Sequence, residues 1–177
     1  MAQSKKLGLS KIKGKGIYCI RVSKEKYEET TYSLMYNFTK ELKLKGVYAG
    51  LNKPFREVFR NFKIHKINTD NILFLDSSTR KDECTIKNCF QIKDSIVRLS
   101  MATSHAIKDG NANFVLLDSV NAMLLYHDPE MVKNFISFFA EKMRSLNILT
   151  VFISIDDNAS KKFNPFLEKV CDYSIKI

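Results

Sequence analysis

The chain has 177 residues, of which 45% are hydrophobic and 27% are charged, and this composition is typical of a folded domain with its own core. No apolar run approaches the ~18 residues that cross a membrane. The basic N-terminus also lacks the apolar stretch of a secretory signal, so we expect a cytoplasmic protein without a membrane partner. The net charge of +10 is uneven, because residues 1–66 hold 16 basic and 5 acidic residues and the rest of the chain holds 13 and 14.

Residues 1–15 are basic and are interrupted by glycine, which predicts an arm or an irregular lead-in to a single domain over residues 16–177. The arm carries no acidic residue and five lysines: Lys5, Lys6, Lys11, Lys13 and Lys15. Two interpretations stay open. The lysines keep the protein soluble, or they contact a partner that bears negative charge, either a nucleic acid or an acidic protein.

Runs of apolar residues predict the strands. In chain order they are Gly16–Val22, Gly46–Gly50, Asn71–Asp76, Asn113–Asp118, Leu149–Ile155 and the weaker Tyr173–Ile177. Because these runs are apolar at successive positions, and not only at alternate ones, we expect a sheet that is covered on both faces.

Segments with apolar residues at a spacing of three to four lie between the strands and predict helices. They cover Tyr27–Lys45, Pro54–Phe62, Ile92–Ile107, Met131–Met143 and Asn164–Cys171. Asp128-Pro129 is a start signal for the fourth helix, and Asp109-Gly110 is a stop signal for the third. Strand and helix alternate, so the predicted fold is α/β with three layers, αβα, around a mostly parallel sheet. The polar stretch Ser77–Gln91 is the predicted long loop.

The four cysteines do not have the spacing of a zinc site, since Cys84 and Cys89 are five apart and Cys19 and Cys171 stand alone. We expect reduced thiols, with a Cys84–Cys89 disulfide as the alternative.

Polar residues follow most of the predicted strands, at the edge where an open parallel sheet binds its ligands. They are Ser23-Lys24, Leu51-Asn52-Lys53, Asp76-Ser77, Asp118-Ser119 and Asp156-Asp157. An aspartate after a buried strand has the form of a magnesium ligand in phosphate enzymes. The alternative is that these residues cap helices and begin turns.

The connection between the first strand and the first helix is where a nucleotide-binding α/β protein carries G-x-x-x-x-G-K-[ST]. Here the window from Ser23 to Thr30 reads SKEKYEET, so both glycines are absent and Glu29 stands at the lysine position. A phosphate cradle needs converging backbone N–H groups and a lysine charge. The window therefore predicts a phosphate loop that has been lost.

A buried strand that ends in Asp-Ser is followed by a segment of small residues and leucines, over Phe114–Ser119 and Val120–Tyr126. This order resembles the RecA/KaiC-like P-loop ATPases, chiefly archaeal KaiC-type and RadA-type domains. Val47–Leu51 resembles their second strand, and Phe166–Ile175 resembles the short helix and last strand that close their core. The resemblance covers residues 16–177 and implies a RecA-like sheet with helices on both faces.

Carried over residue by residue, the resemblance implies a vestigial nucleotide site made of Ser23, Lys24, Thr30, Asn52, Asp118 and Ser119. Asp118 matches the magnesium ligand and Thr30 the magnesium-holding hydroxyl. Asn52 stands where active relatives have a catalytic glutamate, and an amide cannot take a proton from water. We therefore expect no catalytic residue, no hydrolysis and no cofactor, although Lys24, Lys26 or Lys53 could still reach a phosphate.

Three functions stay open. The first is a non-catalytic regulator or scaffold, in signal transduction, that assembles with itself or with related RecA-like subunits. Phe135, Phe138 and Phe139 either leave one ring exposed for such contacts or are all core. The alternatives are nucleic-acid binding through the basic N-terminal third and weak ATP and magnesium binding at Thr30, Asp118 and Asp156 without efficient hydrolysis.

Overall fold

The computed structural model describes residues 9, 12, 14–77, 84, 86–93, 95–110, 112–158 and 160–177, and these form a sheet of seven parallel strands. The strands are β1 Gly16–Val22, β2 Gly46–Gly50, β3 Ile72–Asp76, β4 Cys89–Gln91, β5 Phe114–Asp118, β6 Leu149–Ile155 and β7 Tyr173–Lys176. Their order across the sheet is β4-β3-β2-β5-β6-β1-β7. The predicted α/β fold with a parallel sheet is confirmed.

Helices cover both faces of the sheet, as predicted. They are α1 Tyr27–Tyr36, α2 Phe55–Ile64, α3 Ile96–Lys108, α4 Pro129–Ser145 and α5 Asn164–Val170. Helices α1 and α2 bury Leu34 and Phe62 against one face, whereas α3 and α4 bury Leu99 and Phe139 against the other. The division follows from right-handed crossovers, because connections that step toward β4 and connections that step toward β7 lie on opposite faces. Among the described residues, no helix is long and apolar enough to span a membrane.

Strand β2 approaches β5 closely at Gly46. Gly46 is in register with Phe114, and a Cβ atom at Gly46 would lie 2.4 Å from the Phe114 carbonyl oxygen. No real Cβ atom sits that close to a backbone atom, so only glycine fits at the start of β2.

Capping side chains set where two helices begin. The Asp128 carboxylate accepts hydrogen bonds from the Glu130 N–H at 2.9 Å and the Met131 N–H at 3.3 Å, which confirms the predicted start of α4. The Ser95 hydroxyl accepts from the Arg98 N–H at 3.2 Å, so α3 begins after Ser95. The prediction of a start at residue 92 is therefore wrong. The apolar spacing extends back to Ile92, but this residue precedes the capping Ser95 and lies outside the helix.

The first helix is shorter than the predicted Tyr27–Lys45. The α-helix ends at Tyr36 and continues as one π-helical turn over Asn37–Glu41. The Leu42 N–H donates to the Asn37 carbonyl at 2.9 Å, and Lys43 then takes a positive φ of 52°. This left-handed residue ends the helix.

The predicted loop Ser77–Gln91 is wrong at its end, because Cys89–Gln91 forms β4 and pairs with β3. The prediction of reduced thiols is also wrong for one pair, since the structure joins Cys84 and Cys89 in a disulfide. The Cys89 N–H donates to the Ile86 carbonyl at 3.2 Å, and this turn brings the two Cα atoms to 5.2 Å. Cys19 and Cys171 are free thiols.

Candidate functional site

The carboxyl edge of the sheet opens between β2 and β5, since the chain leaves these neighbouring strands toward opposite faces. Gly50, the last residue of β2, is in register with Asp118, the last residue of β5. The Leu51 N–H donates to the Asp118 carbonyl oxygen at 2.6 Å, and the peptide bond from Asp118 to Ser119 is cis. The topology thus brings the predicted Asp118 and Ser119 beside the chain that leads to Asn52.

Asp118 is buried, with 2% of its surface exposed, and two tyrosine hydroxyls reach its carboxylate. Tyr48, from the middle of β2, donates a hydrogen bond to Oδ2. Tyr27, the first residue of α1, reaches the same carboxylate and also the Asn52 side chain. Among the described residues, none makes a hydrogen bond of ordinary geometry to Oδ1. We call Asp118, Tyr27 and Tyr48 the tyrosine–aspartate cluster.

The cluster has shifted pKa values. Burial raises the pKa of Asp118 to about 6, although the interactions of its carboxylate with Tyr27 and Tyr48 oppose the rise. Burial and the neighbouring Asp118 charge raise the pKa values of Tyr27 and Tyr48 above their ordinary value. Both hydroxyls therefore keep their protons, Tyr48 donates to Asp118, and Asp118 is the member of the cluster that titrates.

The connection between β1 and α1 is a short turn, Ser23–Lys26. The Ser23 N–H donates to the Ile177 carbonyl at 3.4 Å, and the Lys26 N–H donates to the Ser23 carbonyl at 3.1 Å. The turn contains no glycine, and none of its residues has a positive φ. The predicted Lys24 is exposed, and two of the turn's N–H groups are engaged with the chain's own backbone.

The first turn of α1 holds the remaining residues of the predicted window. Glu28 and Glu29 are exposed at the helix N-terminus, where carboxylates interact favourably with the helix dipole. Thr30 is fully buried, and its hydroxyl has no hydrogen-bond partner among the described residues. The two acids therefore stabilise α1 itself.

Lys53, which follows β2, bridges the first two helices. Its ammonium pairs with Glu28 of α1 and with Glu57 of α2, the latter at 2.8 Å. Burial lowers the pKa of Lys53, but the bonds to Glu28 and Glu57 outweigh this effect and hold the pKa above its ordinary value. Lys53, the first lysine after β2, is thus paired with two carboxylates.

Asp156, which follows β6, belongs to a different network. It accepts hydrogen bonds from Arg21 at 3.1 Å and from Asn164 at 3.2 Å, and it lies 3.4 Å from the Lys176 ammonium. The bond from Arg21 lowers the pKa of Asp156. Within the described ranges, no three His, Cys, Asp or Glu side chains are placed to hold a metal ion together.

Of the five lysines predicted to contact a partner, Lys15 is exposed beside β1. Lys5, Lys6, Lys11 and Lys13 lie outside the described residues. Two apolar residues of the same segment, Leu9 and Ile12, are buried in the core layer that α1 and α2 share.

Sequence reasoning misses Tyr27 and Tyr48 as members of the site. A tyrosine in the middle of a buried strand needs a polar partner for its hydroxyl, and Tyr48 in Gly-Val-Tyr-Ala-Gly carries that signal. The sequence signal for Tyr27 is weaker. It is the position of this residue at the start of α1, next to the carboxyl edge of the sheet.

Comparisons with known proteins agree with this architecture. A family model described as "ATPase: KaiC" matches residues 30–177, so the match begins just after the β1–α1 turn and the first residues of α1. Among solved structures, the chain is similar to a KaiC-like protein from the hyperthermophilic archaeon Pyrococcus horikoshii OT3. The TM-score is 0.68 at 12% identity, over 92% of this chain and 71% of that one, and at this identity the likeness concerns the fold. No curated protein matches the chain.

Proposed function

Since the chain belongs to the KaiC family of ATPases, we propose that it is a member that does not hydrolyse ATP and that acts as a regulatory or scaffold domain through protein–protein contacts. The observation that carries the proposal is the state of Asp118. The residue that corresponds to a magnesium ligand is buried and faces the hydroxyls of Tyr27 and Tyr48. Tyr27 also stands at the N-terminus of α1, the place where a nucleotide phosphate would be held.

The β1–α1 turn supports the proposal independently. A phosphate cradle is built from several N–H groups that converge from glycine conformations. Ser23–Lys26 has no glycine, and α1 opens with Glu28 and Glu29. Two carboxylates at this helix N-terminus repel a triphosphate.

The residues that directly follow β2 also do not supply a catalytic base or an unpaired lysine for ATP hydrolysis. The resemblance to RecA/KaiC-like ATPases puts Asn52 at the position of the base that takes a proton from the attacking water, and an amide has no such capacity. Lys53 is the neighbouring cation, and Glu28 and Glu57 already neutralise it. The residues at this edge therefore do not fit MgATP, and we assign no catalytic step to them.

Thermal unfolding with millimolar ATP and magnesium tests the proposal, alongside magnesium alone and a phosphate-release assay. A ligand at about 100 times its Kd adds roughly 2.7 kcal/mol to the stability of the folded state. For a chain of this size that corresponds to a rise in Tm of about 5–10 °C. We expect no shift and no phosphate release. Phosphate release that depends on magnesium would contradict the proposal. A magnesium-dependent shift that Asp118→Asn removes would establish a residual nucleotide site and contradict the conclusion that this edge does not fit MgATP.

The charge distribution favours a second candidate function, nucleic-acid binding by the basic N-terminal third. Residues 1–66 hold 16 basic and 5 acidic residues, and Lys15 is exposed. Phosphate contacts release counterions, so affinity for single-stranded or duplex DNA should fall steeply between about 50 and 200 mM salt. Affinity that does not depend on salt would exclude this function.

A further inference from the structure

Helices α3 and α4 lie side by side on one face of the sheet and leave an apolar groove of about 640 Å³ on their solvent side. Four large apolar side chains in its lining are exposed: Val97 by 63%, Met101 by 66%, Met131 by 50% and Phe138 by 59%. We call these four residues and the space between them the α3–α4 groove.

The floor of the groove meets the core at Phe135, but its four exposed side chains lie outside the core. The sheet-facing sides of the two helices are made by other residues, among them Leu99 and Phe139, which are 1% and 0% exposed. The outer side of a surface helix is ordinarily polar. A contiguous apolar patch that two helices build together is the kind of surface that marks a protein-binding site.

The side chain of Lys142 lies beside the groove, against two residues of its lining, Phe138 and Ser100. The Lys142 ammonium is 5.7 Å from the centre of the Phe138 ring and 3.4 Å from the Ser100 hydroxyl. Among the described residues, no carboxylate forms an ion pair with it, and the two glutamates of α4 are engaged elsewhere. Glu130 pairs with Lys133 and Glu141 pairs with Arg144.

We infer that the α3–α4 groove binds an amphipathic helix of a partner protein, whose apolar face covers the four exposed residues and whose carboxylate meets Lys142. The inference rests on the proposed function, because a domain without turnover acts through its surfaces. The charge beside the groove favours an acidic partner over a second copy, since a symmetric contact between two copies would bring a second Lys142 to the same place. The lining spans Ile96–Met101 and Met131–Phe138, which suits a helix of about two to three turns with anchors at i, i+3 or i+4, and i+7.

A displayed peptide library tests the inference. The probes are peptides of about 16 residues, long enough to hold helical structure, with leucine at helical spacing and all other positions free. Peptides selected on the wild-type protein should be enriched in aspartate and glutamate over lysine and arginine. Binding of the best peptide, measured by fluorescence anisotropy, should weaken about tenfold or more on Phe138→Ser and on Met101→Ser. Both side chains are exposed, so the variants should fold, and a melting curve checks this.

Two further variants sharpen the result. Ile64→Ser is the matched control, since Ile64 is 67% exposed on α2, on the opposite face of the sheet, and its loss should leave the peptide affinity unchanged. Lys142→Glu should weaken the acidic peptide, and replacing the peptide's critical carboxylate by lysine should restore binding to that variant.

Three outcomes overturn the inference. The first is a selection that yields no peptide, or only peptides that ignore Phe138→Ser. The second is enrichment of basic peptides. The third is a wild-type dimer in sedimentation experiments that Phe138→Ser dissociates, because a second copy then covers the groove. The nucleotide experiment is separate, so phosphate release from MgATP would remove the proposed function and leave the groove result as it stands.

Discussion

The side chain of Tyr27, the first residue of α1, interacts with the buried carboxylate of Asp118, the last residue of β5. Tyr48 donates to the same carboxylate from β2. The contact joins the β1–α1 turn to the crevice between β2 and β5. Because it holds a carboxylate in the interior, its first consequence is that the stability of the fold depends on pH.

Replacing Asp118 by asparagine should remove that pH dependence. The pKa of Asp118 rises from 3.8 to about 6 in the folded protein, so the proton on Asp118 stabilises the native state. This contribution is fully present below pH 4 and is lost as the pH rises through 6. A shift of about two pKa units corresponds to roughly 3 kcal/mol.

Urea unfolding of the wild type and Asp118→Asn between pH 4 and 8 measures the effect. The wild type should lose about 3 kcal/mol relative to the variant across this range. Asp70→Asn, at an exposed position, controls for the change in net charge. A difference between wild type and Asp118→Asn that stays constant with pH contradicts the raised pKa.

Gly46→Ala should destabilise the fold by about 1–3 kcal/mol or more, because the new methyl group meets the Phe114 carbonyl oxygen and ring. The backbone of a central strand cannot move aside without breaking its pairing with β3 and β5. Gly14→Ala is the matched control, since no atom of the described residues lies within 4 Å of its Cβ position. Equal midpoints for the two variants in urea would show that β2 and β5 are not packed this closely.

Asp128→Ala should cost about 0.5–2 kcal/mol, because the N–H groups of Glu130 and Met131 lose their acceptor at the start of α4. Asp128→Asn keeps an oxygen acceptor and removes the charge, so its cost should be small. Chemical denaturation of the three proteins separates capping from charge. A large loss in the asparagine variant would assign the effect to electrostatics.

Much of the fold can be predicted from local signals. The strands Gly16–Val22, Gly46–Gly50 and Leu149–Ile155 have the predicted bounds, and a polar residue directly follows the first and the last of them. The start of α4 is equally local, since Asp128 and Pro129 belong to the helix they begin. Strand β4 and the Cys84–Cys89 disulfide could not be predicted in this way. They depend on pairing with β3 and on a turn whose geometry only the folded chain defines.

The candidate site also has a part that the sequence predicts and a part that depends on tertiary contacts. Topology places Asp118 at the carboxyl edge, and the strand pattern alone indicates that position. The partners of Asp118 come from α1 and β2, so Tyr27 and Tyr48 follow only from side chains that reach across elements. The pairing of Lys53 with Glu28 and Glu57 is tertiary in the same sense.

Tyr48→Phe tests whether the tyrosine hydroxyl stabilises the buried charge of Asp118. At pH 8 the substitution removes a donor from an ionised carboxylate in the interior, which should cost about 1–3 kcal/mol. At pH 4 Asp118 is largely neutral and the cost should be smaller. In the Asp118→Asn background the cost should fall to about 1 kcal/mol, the net value of a neutral hydrogen bond. A double-mutant cycle in urea gives the coupling directly.

Tyr173→Phe, at a residue that is 52% exposed, is the control and should change stability by less than about 0.5 kcal/mol. If Tyr48→Phe costs the same at both pH values and in both backgrounds, the hydroxyl does not act on the Asp118 charge, and the tyrosine–aspartate cluster loses its role in tuning that carboxylate.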